Sequence, residues 1–144
     1  MAATRYEADV VAWANEQAAM LRAGDFSALD IVHIADEVED VGKSEQRELE
    51  TRMAFLLAHL LKWKYQPARR GASWEVTIRE QRKAVERRIK KTPSLKADLK
   101  DPEWREAVWS EALLDAAKET DLQTFPDVCP WSFEQIMDAG FWPH

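Results

Sequence analysis

Glu48, Arg52, His59, Lys62 and Gln66 recur at helical spacing along one side of the segment Ser44 to Gln66. Further on, Gln81 and Arg82 interrupt an apolar stripe of Trp74, Ile78, Val85 and Ile89. Gathered between helices, a carboxylate, an imidazole, an ammonium, two guanidinium groups and two amides could hold a polar ligand or move a proton, with the histidine titrating near neutrality. The same set can also serve the fold alone. An unpaired buried neutral group costs roughly 2 to 7 kcal/mol and a charge more, so inward-facing residues of these types must find one another, which sets helix register. The pattern predicts Arg82 paired with a carboxylate, Gln81 with His59 or Gln66, and Gln17 of the N-terminal helix also facing inward. The favoured reading is structural, with Arg82 free to run along a bundle edge. The functional reading makes the layer a ligand site or an active site.

Other chemistries find less support. Helical carboxylate metal sites use Glu-x-x-His pairs on facing helices, and none of His33, His59 and His144 has a glutamate at that spacing. His33 and Glu37 are one turn apart but off the apolar face, so no metal and no other cofactor is expected. There is no Gly-x-Ser-x-Gly elbow, and Cys129 stands between Val128 and Pro130 without an identifiable base, so no catalytic residue is assigned. The four glycines are scattered singly, which excludes a phosphate-cradling loop.

Charge divides the chain into three. Lys62 to Lys91 holds eleven Lys/Arg against three Asp/Glu, while the segments before and after it each carry a net charge of -7, for -6 overall. Interleaved with Trp63, Tyr65 and Trp74, the basic segment invites a nucleic-acid reading. Its arginines and lysines recur as an ordinary solvated helix face, however, and the acidic flanks repel a phosphate backbone, so nucleic acid is disfavoured. A protein partner or a second copy of the chain uses the same charge through Arg69, Arg70, Arg79, Lys83, Arg87 and Arg88.

These residues need long helices to position them. Seven Trp, four Gly and abundant Ala, Leu, Glu, Lys and Arg predict an all-α fold, and 144 residues suit a single domain spanning residues 1–144. A capping box of Thr4 and Glu7, with a stop at Gly24, predicts a helix from Arg5 to Ala23. Asp30 opens a second from Ile31 to about Val41, with Ile31, Ile34, Ala35 and Val38 on its core face and Gly42 ending or bending it. Ser44 opens a third that runs to Gln66 before Pro67, and Ser73 caps a fourth from Trp74 to about Lys91. After a turn at Leu95 to Leu99, Asp101 and Pro102 start a fifth that ends near Glu119. Ser132 and Gln135 box a short last helix in an aromatic tail that docks on the bundle. The third and fourth helices pack antiparallel across the turn PARRGA.

No stretch approaches the roughly 18 apolar residues of a membrane span, and a lone cysteine suits a reducing cytoplasm. Several elements carry a resemblance: HLLKW, YQP, SW and EQR within the run from Asp30 to Val85, TPSL at Thr92 to Leu95, and the ending FPDVCPWSFEQIMDAGFWP. Together with the opening YEADVVAWANEQ, these make nearly the whole chain resemble the domain of unknown function 29 family. The resemblance implies a small all-helical bacterial protein and brings no activity with it. It marks Glu37, His59, Lys62, Trp63, Gln66, Trp74, Gln81 and Arg82 as positions matching the family pattern. With Glu48, the candidate polar site is therefore Glu37, Glu48, His59, Lys62, Gln66, Gln81 and Arg82.

Overall fold

Helix formers with few breakers give helices throughout, and no strand occurs among the described residues, 4–120 and 124–144, of a computed structural model. The main elements are α1 (Val10–Ala23), α2 (Ile31–Tyr65), α3 (Ala72–Lys91), α4 (Lys96–Lys100), α5 (Pro102–Thr120) and α6 (Phe133–Met137). Short 3-10 turns, Pro67–Arg69 and Pro93–Leu95, flank α3. By contact density the chain divides into two compact units, residues 1–44 and 45–144, with α2 running from one into the other.

In the first unit α1 starts later than its capping box predicts. The amide and hydroxyl of Thr4 both donate to the Glu16 carboxylate, at 2.9 and 2.7 Å. With Thr4 engaged there, the cap falls to Asp9, whose extended backbone lets its side chain accept from the Ala12 amide at 3.1 Å. Gly24 closes the helix in the left-handed region, at φ 74°, as expected.

The second and third expected helices are one. α2 continues through Gly42 for 35 residues, about 50 Å at the α-helical rise. A lone mid-helix glycine costs only about 1 kcal/mol relative to alanine, too little to break a ladder whose neighbours are helix formers. A Cβ added at Gly42 would meet nothing within 4 Å. Gly42→Ala is therefore expected to stabilise the protein by about 0.5 to 1 kcal/mol. A urea-denaturation midpoint that fails to rise would contradict this.

In the second unit the core is built on Leu49, Leu56, Leu60 and Leu61 of α2, Ile78 and Val85 of α3, and Ala112 and Ala116 of α5, all fully buried. α2 and α3 run antiparallel there: Arg88 pairs with Glu45 and Glu48 at one end, and the Lys62 ammonium lies 5.7 Å from the Trp74 ring centre at the other. Gly71, not Ser73, is the extended residue before α3, and no side chain caps it. Asp101 accepts from the Glu103 amide at the start of α5, and Ser132 and Gln135 complete their box. The aromatic tail docks as expected, with Trp142 against Trp63, Phe125 edge-on to Tyr65, and Trp131 edge-on to Trp109.

Candidate functional site: a divided polar layer

α2 turns His59 and Lys62, one turn apart, into the 45–144 unit, where they are 7% and 4% exposed. The Nδ1–H of His59 donates to the Phe55 carbonyl of its own helix at 3.0 Å, leaving Nε2 as a lone pair 3.5 Å from the Lys62 ammonium. Lys62 also donates to the carboxylate of Glu119 on α5. Burial holds the imidazole below the usual histidine range, opposed by its bond to Phe55 and reinforced by the Lys62 charge. The Lys62 hydrogen bond holds Glu119 below the usual carboxylate range. A neutral histidine, a cation and an anion in this order resemble a proton relay in composition. The cation, however, sits between the other two and is held on both sides.

Arg82 lies apart from them, on α3, 5% exposed. The carboxylate pairing expected from the sequence is not what it makes. Nε donates to the Ile136 carbonyl at 2.7 Å and Nη2 to the Phe141 carbonyl at 2.6 Å, and the guanidinium lies 5.3 Å from the Trp142 ring centre. The reason is topological: the end of α6 and the chain after it bring backbone acceptors to this spot, which a reading of helical phase cannot place. Burial lowers the Arg82 pKa, opposed by the charge of Asp138.

The remaining members disperse. Glu48 faces Arg52 and Arg88 at 3.0 and 3.5 Å. Gln81 does not bond to His59 or Gln66, and the Oε1 atoms of Gln66 and Gln81 are both buried without a donor among the described residues. Glu37 belongs to the 1–44 unit and accepts from the Tyr6 hydroxyl, whose pKa is pushed up to about 12 chiefly by that bond. Gln17 does face inward, where its carbonyl accepts from the Asp30 amide at 2.8 Å.

Glu48 and Gln81 share a polar cleft of about 240 Å³ with Arg52, Phe55, Glu111 and Asp115. Burial first, then Glu50 and Asp115, push the Glu111 carboxyl upward. Glu111, Asp115 and Glu119 follow one another at intervals of four along α5, a spacing that marks an acidic helix face in the sequence itself. A second cleft, of about 550 Å³, is walled by Trp104, Trp109, Cys129 and Trp131 among others. It has no local signature, because its walls come from α2, α4, α5 and the tail.

The basic segment is largely consumed by the fold. Arg70 donates to the carbonyls of Trp63 and Pro143, Arg88 to Glu45 and Glu48, Arg79 to Glu75 and Lys83 to Glu80, while Arg69 lies over Trp74. Arg87, Lys90 and Lys91 are exposed and have no carboxylate partner among the described residues. The same residues contain no cluster of three or more metal-ligating side chains and no helix long and apolar enough to cross a membrane. No curated protein and no solved structure matches the chain. The profile of the domain of unknown function DUF29 matches residues 5–142, nearly the whole chain, and the protein belongs to that family.

Proposed function

We propose that this chain is a non-enzymatic interaction module of the bacterial cytoplasm that associates with a second copy of itself. The observation that carries the reading is the uncovered apolar face of α2 in the 1–44 unit. Ile31 and Val38, on the face that the sequence marks for a core, are 69% and 66% exposed, and Val41 next to them is 68% exposed. α1 approaches a different side: Tyr6 stacks on His33 at 4.3 Å and bonds to Glu37, and Trp13 Nε1 donates to Asp30 at 3.0 Å. At 100° per residue, Ile31, Ile34, Ala35, Val38, Val41 and Gly42 form a stripe about 120° wide, the width of a core-facing helix side.

A second copy suits this stripe for two reasons. Ala35 and Gly42 leave room for close approach, and a stripe of this kind is self-complementary about a two-fold axis. Glu37 and Glu39 flank the stripe, while Arg87, Lys90 and Lys91 have no carboxylate partner among the described residues, so each copy offers the charge the other lacks. The ligand-binding alternative keeps one supporting observation, the donorless Gln81 Oε1 beside the smaller cleft.

Light scattering after size exclusion at about 100 µM, a concentration that populates micromolar dimers, tests the reading. A dimer that loosens in high salt and becomes monomeric in Val38→Glu, with helicity unchanged, is expected. A wild-type monomer at both low and high salt would overturn it.

A further inference from the structure

The 550 Å³ cleft has the size and makeup of a small-molecule site, apolar over most of its wall with a few polar groups among its lining residues. Met53 and Leu57 of α2, Trp109 of α5, and Trp131 and Phe133 of the tail supply the apolar body. Pro102, Trp104 and Arg105, from the first turn of α5, also line it. Arg105 is exposed and has no acceptor among the described residues, whereas the buried cations Lys62 and Arg82 are both engaged. The Trp104 Nε1–H is buried and lacks an acceptor among the described residues. Arg105, a cation without an acceptor among the described residues, thus lines an apolar cleft beside the positive end of a 19-residue helix. Glu106 and Asp127 line the same cleft and oppose accumulation of negative charge, which selects against phosphates and dianions.

The geometry points to a binding site for a medium-chain monocarboxylate, its alkyl chain among Trp109, Trp131 and Leu57 and its carboxylate at Arg105. This is independent of self-association, since the proposed contact face belongs to the other unit.

Decanoate is the probe, compared with decanol and decylamine, and binding is read by calorimetry and by tryptophan fluorescence from the three indoles in the wall. Saturable binding of decanoate is expected, weakened about tenfold by Arg105→Gln, a loss of one charge-assisted contact, with decanol unaffected by that change. Cys129→Phe, which fills the cleft, is expected to abolish binding of both. Arg105 is exposed, so its variant folds and decides the matter even if the filled variant does not. Absence of saturable decanoate binding, indifference to Arg105→Gln, or decylamine binding as tightly as decanoate would each overturn the assignment.

Discussion

Arg82→Ala is expected to destabilise the 45–144 unit by about 3 kcal/mol and to release the chain after Trp131. The guanidinium is buried and bonds two backbone carbonyls, Ile136 at 2.7 Å and Phe141 at 2.6 Å, that belong to a segment with only one helix of five residues. Hydrogen bonds from a charged donor contribute about 1.5 to 3 kcal/mol each, and a carbonyl left buried without a donor costs about 1 to 3 kcal/mol. The two ranges overlap in what they count, and relaxation of the freed tail into water recovers part, which sets the figure near the middle. Arg82→Met separates packing from polarity, because it retains the apolar stem against Trp142 and loses both bonds. It should recover less than half of the loss. Arg82→Lys, with a point charge and no planar fork, reaches one carbonyl at best. Urea denaturation gives the magnitude, and limited proteolysis gives the location as early cleavage after Trp131. A loss below about 0.5 kcal/mol, typical of a surface substitution, would show that the tail docks through its aromatic rings alone.

The contrast between Arg82 and its neighbours shows what was legible in the chain. Features whose partners lie within a turn or two could be read directly: the Gly24 stop, the Ser132 and Gln135 box, the break at Pro67, the apolar stripe of α3. The inward turn of Gln81 and Arg82 was also legible, because helical phase is local. Their partners were not. A carbonyl at position 136 or 141 is chemically anonymous in the sequence, and only the path of the tail brings it to α3. Gly42 misled in the opposite way, since its weak local preference yields to a helix that is favourable on both sides. Ile31 and Val38 were assigned to a core by pattern, and they are exposed because α1 packs on the Asp30, His33 and Glu37 side of α2 instead. An amphipathic stripe says that a face wants covering. It does not say whether the cover lies in the same chain.

Removing the carboxylate of Glu119 is expected to cost more than removing the ammonium it pairs with. Lys62 is 4% exposed, whereas the Glu119 side chain is 59% exposed. Lys62→Met leaves a glutamate that water can solvate and puts an apolar chain in an apolar setting, so the change should be close to neutral. Glu119→Gln leaves a buried ammonium with only the His59 lone pair and the Trp74 face, and should cost about 2 kcal/mol, below the usual range for a broken buried pair because half of the bridge is already wet. The pH dependence of the difference between wild type and His59→Gln isolates His59, because His33, whose pKa is raised chiefly by its hydrogen bond to Asp30, titrates in the same range with the opposite sign. The folded pKa of His59 lies below the unfolded value near 6.5, so the unfolded chain binds the extra proton first. Stability from this group is then complete above about 6.5 and falls as the pH drops toward the depressed folded value. The Glu119 contribution has the same sign but is lost lower, as the pH falls below the usual carboxylate value of 4.5. His59→Gln should flatten the upper slope and spare the lower one. Lys62→Met should shrink the upper slope, since the neighbouring cation that disfavours a charged imidazole is gone, and should also remove most of the lower one. Denaturation midpoints of the three variants between pH 4 and 8 distinguish these outcomes. A stability difference between wild type and His59→Gln that grows on acidification from pH 7 to 6 would mean that the imidazole is charged in the folded protein, and would overturn the assignment of its Nε2 as the acceptor for Lys62.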